Sequence, residues 1–267
     1  MHIVLTNDDG IHAYGIMALA KRLKNEHTVT VVAPDSERSA CSHSITLGKP
    51  LSVRNVHRDE YDGICAYSVN GTPADCVKLA TSALIEKKID LILSGVNLGS
   101  NLGTDIAYSG TVNAALEGTI CGVPSIALSQ RIDGPGVAEA ELRRLFDQSA
   151  DITAALIGQI DMRQLKDCIY NINFPAVERS GIRGIKLCSQ GISAYDSVFQ
   201  KQDDPFGREF YWICAVPNDV GYNEEHETDV YWAHKGYITI TPLAWNDTYH
   251  AAFPDEKCKS EDVKLRF

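Results

Sequence analysis

Two adjacent carboxylates, Asp8 and Asp9, stand in Asn7-Asp8-Asp9-Gly10 directly after the apolar run Ile3-Val4-Leu5-Thr6. In one crevice such a pair repels itself, so either one acid takes a proton or a cation sits between them. Two further oxygen donors also follow apolar runs: Ser39 in Asp35-Ser36-Glu37-Arg38-Ser39, and the Asn97 amide in Ser94-Gly95-Val96-Asn97. Together they make a hard-metal shell, and an all-oxygen set favours Mg²⁺ or Mn²⁺. The chain has no H-x-x-x-H or C-x-x-C pair, which argues against zinc. Asp8-Asp9-Gly10 reads equally as a turn with solvated acids, and Ser39 or Asn97 taken singly as a loop residue satisfying nearby backbone.

Ser109-Gly110-Thr111 opens a helical pattern. Free N–H groups beside a small glycine form a concave anion site at the positive end of a helix dipole, and simple N-capping explains the same residues. Gly95, Gly99 and Gly103 fall at four-residue steps, as in a loop that approaches a ligand closely or merely turns. No G-x-G-x-x-G or G-x-x-x-x-G-K-[ST] follows a strand, so dinucleotide and Walker-type readings lose support. His12 and His43 lie near the crevice as candidate proton carriers, and Arg38 as a phosphate contact, against the commoner structural roles of such residues.

The elements that must position these groups alternate in period. Ile3 to Thr6 reads as a strand, Ile16, Leu19, Ala20 and Leu23 as one helix face, and Thr28 to Ala33, stopped by Pro34, as a second strand. Thr46 to Val56 and Ile64 to Val69 read as an inserted hairpin. Thr72-Pro73-Ala74-Asp75 places a capping hydroxyl, a first-position proline and a carboxylate, so a helix is expected to about Lys87. Asp90 to Ser94 is a strand, Ser109 to Ile120 a helix, Ser125 to Leu128 a strand, Ala138 to Ile160 a helix and Cys168 to Phe174 a strand. This alternation predicts an α/β fold: a mostly parallel sheet with helices on both faces, its ligand crevice at the carboxyl ends of the strands. Beyond residue 175, Arg208 to Ala215 and Gly236 to Pro242 read as strands, with Asp203 to Gly207 as a turn and several large aromatics between, suited to a core or a subunit interface.

The 267 residues carry 25 Lys and Arg against 35 Asp and Glu, a net charge of −10 that disfavours a general grip on duplex nucleic acid. No apolar run approaches the roughly 20 residues needed to cross a bilayer, and the N-terminus has no signal-peptide pattern. The eight scattered cysteines are expected as reduced core thiols, which points to the cytoplasm.

These blocks resemble the stationary-phase survival protein SurE family of metal-dependent 5′/3′-nucleotidases. The resemblance runs through Leu5-Thr6-Asn7-Asp8-Asp9-Gly10-Ile11-His12-Ala13, Val32-Ala33-Pro34-Asp35 with Arg38-Ser39, and Gly71-Thr72-Pro73-Ala74-Asp75-Cys76-Val77. It continues through Ser94-Gly95-Val96-Asn97, Asn101-Leu102-Gly103, Tyr108-Ser109-Gly110-Thr111-Val112 and Gly236 to Leu243. Departures are Tyr14 and Ser100, where proline is usual or common, and Ala40, where glycine is usual. The resemblance implies a Rossmann-like core over 1–175 and a β-rich oligomerisation extension over 176–267 in a single SurE-type domain. It also implies a cytoplasmic homodimer or homotetramer built by C-terminal exchange. One divalent cation per subunit, on Asp8, Asp9, Ser39 and Asn97, and substrate contacts at Asn7, Asn97, Ser109, Gly110 and Thr111 follow from it as well.

The expectation is therefore a phosphomonoester hydrolase with Asp8 and Asp9 as its catalytic acids, acting on nucleoside 5′-monophosphates and extending to 3′-monophosphates and polyphosphate. The bound ion would polarise the phosphate and lower the pKa of a water. A haloacid dehalogenase-like phosphatase would need Asp-x-Asp where this chain has adjacent carboxylates. A nucleotide sensor without turnover would bind tightly and release no phosphate.

Overall fold

Alternation within the first strand decides both faces of the sheet. In β1 (His2–Thr6), Ile3 and Leu5 enter one apolar cluster and Val4 another, because successive strand side chains leave opposite faces. The structure is a computed structural model describing residues 1–134, 136–218 and 227–246. The chain continues through α1 (Tyr14–Leu23), β2 (Thr28–Pro34), β3 (Val53–Asn55), β4 (Cys65–Val69), α2 (Pro73–Leu79), β5 (Leu91–Leu98), α3 (Gly110–Ile120), β6 (Ser125–Gln130), α4 (Glu139–Ile157) and β7 (Cys168–Phe174). Then follow β8 (Ile185–Leu187), β9 (Ala194–Asp203), β10 (Glu209–Asn218), α5 (Asp229–His234) and β11 (Ile238–Ala244).

Nine strands form one sheet in the order β3-β4-β2-β1-β5-β6-β7-β11-β8. The six from β4 to β7 run parallel, while β3 pairs antiparallel with β4, and β11 antiparallel with β7. Helices α1 and α4 cover one face, where Ile16, Leu19 and Phe146 pack with Ile3, Leu5, Leu93 and Leu128. On the other face, Cys76 and Val77 of α2 and Ala114 of α3 meet Val4, Val32 and Ile92. Each fully buried Leu or Ile here contributes about 1.5–3 kcal/mol of transfer free energy. The expected mostly parallel α/β sheet is thus present, and the antiparallel strands of the C-terminal third extend it.

Several boundaries differ from the sequence reading. Between Thr46 and Val56 only Val53–Asn55 is a strand, because Thr46 donates through its N–H and hydroxyl to Asp75 and is held as a loop against α2. Helix α2 has the expected capping box between Thr72 and Asp75, but it passes into one wide turn over Ala80–Leu84 and stops there, short of Lys87. The Thr81 hydroxyl binds the Val77 and Lys78 carbonyls in that turn. Strand β5 runs past Ser94 to Leu98, with a register shift against β6 between Ser94 and Asn97.

The C-terminal third divides. Strand β11 returns to the main sheet, whereas β9 and β10 form a separate two-stranded hairpin. The sequence predicts β10 but not its partner, and Tyr231 and Trp232, two of the large aromatics in the C-terminal third, lie on the short helix α5. Of the seven described cysteines, all free thiols, only Cys76 and Cys188 are buried and Cys65 is exposed, so the expectation of core thiols holds for two. Cys258 and the end of the expected extension, 247–267, lie outside the described residues. Among the described residues no helix is long and apolar enough to cross a membrane.

Candidate active site

From β1 the chain moves outward to β2 on one side and later returns to β5 on the other. The carboxyl ends of β1 and β5 therefore flank a topological switch point, where the connecting loops diverge and leave a crevice. Asn7, Asp8 and Asp9 leave β1 there and Asn97 sits near the end of β5. The loop after β2 is tied alongside, with the Arg38 N–H donating to the Asp8 carbonyl at 2.7 Å. Gly10 makes this approach feasible: its φ is +96°, and a Cβ would lie 3.1 Å from the Ser36 backbone.

Asp8 is 5% exposed and is held by one residue of α3. Its Oδ2 accepts from the Thr111 N–H at 3.1 Å, and its Oδ1 from the Thr111 hydroxyl. Asp9 accepts from the Leu98 N–H at 3.0 Å through Oδ2. Burial pushes the Asp8 carboxyl up, opposed by the two Thr111 bonds. Burial and then the charge of Asp8 push Asp9 up to about 7, opposed by the Leu98 N–H. The pair is electrostatically unsatisfied, and a cation between the two groups is the physical remedy.

Glu37, which the sequence does not single out, adds its charge to both aspartates and accepts from the Ser39 hydroxyl at 2.5 Å. The signal available was its place two residues before Ser39. Asn97 donates its amide nitrogen to the Gly99 carbonyl at 3.0 Å, which leaves the oxygen as the end able to take a cation. Asn7 is fully buried, and its amide nitrogen closes the turn onto the Gly10 carbonyl at 2.9 Å. Its Oδ1 is buried with no hydrogen-bond partner among the described residues. An orphaned carbonyl oxygen, a buried and a half-buried acid, and an all-oxygen donor set fit a small divalent cation such as Mg²⁺ or Mn²⁺.

Ser109 caps α3 by accepting from the Val112 N–H at 3.1 Å, so the capping role is real, and the Thr111 N–H beside it binds a carboxylate. Gly110 faces Asp8: a Cβ there would lie 2.9 Å from Asp8 Oδ2 and 2.8 Å from Cys41 Sγ. The other candidates are engaged elsewhere. Arg38 pairs with Asp35 at 3.1 Å, His12 meets Arg58 at 3.1 Å, and His43 meets the buried Glu117 at 2.8 Å.

Fold and site together define a doubly wound α/β protein with an acidic ligand crevice at its switch point. Residues 3–197 match the family model described as survival protein SurE. A 5′-nucleotidase SurE of Thermoanaerobacter sp. (strain X514) is 43% identical over 249 residues, covering 93% of this chain and 94% of the relative. One of Nostoc sp. (strain PCC 7120) is 42% identical over 258 residues, with 93% and 94% covered. The crystal structure of the SurE protein from Aquifex aeolicus superposes with a TM-score of 0.77 at 37% identity, covering 95% of this chain and 97% of that one. The chain belongs to the SurE family.

Proposed function

We propose that this chain is a divalent-metal-dependent phosphoric monoester hydrolase, a 5′-nucleotidase that removes phosphate from nucleoside 5′-monophosphates. The observation that carries the reading is the Asp8–Asp9 pair at the switch point, Asp8 buried and Asp9 half-buried, gripped by Thr111 and the Leu98 N–H. Membership of a family whose relatives are named 5′-nucleotidase SurE supports the substrate class. Asp8, Asp9, Ser39 and Asn97 would hold one Mg²⁺ or Mn²⁺ per subunit. When bound, such an ion offsets phosphate charge and acidifies a water.

The chain's own residues do the positioning. Thr111 fixes both oxygens of Asp8 and the Leu98 N–H fixes one of Asp9, so neither carboxylate must reorganise during the reaction. The start of α3, with Ser109, Gly110 and Thr111, sets the positive end of a helix dipole against Asp8, so it acts on a bound phosphate through the field of the dipole and not through the Thr111 N–H, which Asp8 already takes. Asp9, on the more open side, orients the attacking water, and Asn7 holds the turn that carries both acids. Nothing in this arrangement depends on the sugar carbon that bears the ester, so nucleoside 3′-monophosphates and polyphosphate belong in the proposed range.

The exposed aromatics of the β9–β10 hairpin, including Trp212 at 61% and Phe206 at 84%, support a homodimer or homotetramer in which a second copy covers them. A cytoplasmic site of action is part of the same reading.

The test is phosphate release from a panel of nucleoside 5′- and 3′-monophosphates and polyphosphate, with Mg²⁺, Mn²⁺ or chelator, on the wild type and Asp9→Asn. Metal-dependent release that Asp9→Asn loses is expected. Tight nucleotide binding without release, or full activity in chelator, would refute the reading.

A further inference from the structure

The two sides of the aspartate pair differ in openness. On the Asp8 side, Thr111 and Gly110 pack directly against the carboxylate, with Cys41 beside Gly110. On the Asp9 side a cleft of about 280 Å³ opens, with Asp9 and Glu37 among the residues at its wall. That volume lies just below the range of small-molecule pockets, roughly 300 to 1,000 Å³. Its other walls combine apolar and aromatic side chains, Leu98 from the end of β5, Tyr14 from the start of α1, and Leu142 and Phe146 from α4, with the charged pair Glu139 and Arg143 of α4.

The aromatic corner is held in place by named contacts. The Tyr14 hydroxyl donates to Asp147 at 2.9 Å, and the Tyr14 and Phe146 rings meet at 6.2 Å between centroids, tilted by 56°. The Arg143 guanidinium lies 4.7 Å from the Tyr14 ring centroid and is gripped by Glu139 at 2.7 and 3.0 Å. A guanidinium stacked on one ring keeps its other face for a second flat group. Flat aromatic surface, aliphatic walls and a planar cation at the rim are the features that receive a nucleobase without demanding one particular base.

We propose that this cleft is the nucleoside subsite: the ester's phosphate lies at the Asp9 end, and its base rests on Tyr14 and Arg143, with the buried Phe146 backing Tyr14 and Leu98 and Leu142 closing around it. The inference rests on the nucleotidase reading and assigns the residues through which a nucleotide is told from a bare sugar phosphate. Tyr14 is then a specificity-determining residue.

The experiment compares kcat/KM for adenosine 5′-monophosphate with that for ribose 5-phosphate, which has the same ester and no base, in the full-length protein with Mg²⁺. The readout is the ratio of the two, which a general loss of catalysis does not move. The wild-type ratio is expected well above one. Tyr14→Ala should lower it about tenfold, the loss of one stacking partner, and Tyr14→Phe should retain most of it. Leu98→Gln changes a side chain that is 51% exposed, spares the backbone N–H on Asp9, and should lower the ratio too. It reads the subsite even if Tyr14→Ala does not fold. A wild-type ratio at or below one, or a ratio unmoved by both Tyr14→Ala and Leu98→Gln, overturns the subsite while leaving phosphatase activity standing. Release from neither ester by the wild type would instead remove the nucleotidase reading itself, and the subsite with it.

Discussion

Thr111 and Asp8 are 103 residues apart in sequence and joined twice, through the Thr111 N–H at 3.1 Å and through its hydroxyl. The second bond can be removed while the first is kept. Thr111→Val preserves the shape of the side chain and deletes the hydroxyl. A hydrogen bond to a charged group contributes about 1.5–3 kcal/mol, so activity at limiting Mg²⁺ should fall roughly 10- to 100-fold. Steady-state kinetics across a metal titration would measure this. Wild-type kinetics in Thr111→Val would show that the grip on Asp8 is catalytically idle.

Gly110→Val puts a branched side chain where a Cβ alone already lies 2.9 Å from Asp8 Oδ2 and 2.8 Å from Cys41 Sγ. From sequence alone, the damage would fall on the phosphate and spare the metal. In the structure the obstacle is Asp8 itself, so metal affinity and turnover should fall together, with turnover down at least about 100-fold, since displacements near 1 Å carry such costs. Calorimetric titration with Mn²⁺ separates the two outcomes; unchanged Mn²⁺ affinity alongside lost turnover would restore the simpler picture.

Ala40 has φ +53°, a left-handed conformation costing a non-glycine residue about 1–2 kcal/mol. It is also where the resemblance expects glycine. Ala40→Gly relieves the strain at some cost in unfolded-state entropy, for a net stabilisation of up to about 1 kcal/mol. The urea midpoint should rise; a fall would mean that the loop gains more from the Ala40 methyl group than it loses in strain.

Asp75 links stability to pH. Burial alone would push its carboxyl up, but hydrogen bonds from Thr46 and Thr72 outweigh that and hold it below the ordinary value. A carboxyl held low in the folded chain stabilises it at pH above the unfolded value, and that contribution is lost as pH falls through the folded one. Asp75→Asn should therefore lose about 1–2 kcal/mol at neutral pH, part of it the capping box, and show a flatter decline on the acid side. Urea midpoints from neutral to strongly acid pH would test it, with parallel curves for the two proteins as the contrary result.

The β9–β10 hairpin contacts its own chain as a separate sheet and exposes Phe199, Phe210, Tyr211, Trp212 and Ile213. Two strands alone are marginal in water, so a second copy is expected to cover them. Light scattering at micromolar concentration should give at least about twice the single-chain 29.3 kDa. A mass equal to one chain would contradict the interface.

What the sequence determined by itself was local. The apolar run Ile3 to Leu5, the Pro34 stop, and the Thr72–Asp75 capping box are short-range signals, and the structure carries all three. The same signals placed Asp8 and Asp9 at a strand tip, because chain order and strand ends are readable without knowing partners. What only tertiary structure decided depends on distant groups meeting. That Glu37 bears on both aspartates, that Thr111 holds Asp8, and that the Leu98 N–H holds Asp9 follow from the packing of β2, α3 and β5 around β1. Strand β9 escaped notice because its polar stretch Gln200-Lys201-Gln202 has no alternation, and its pairing with β10 supplies the strand geometry that its own side chains do not announce. The Asp9-side cleft is likewise a tertiary product: α1 and α4, more than a hundred residues apart in the chain, converge there because their apolar faces share one side of the sheet.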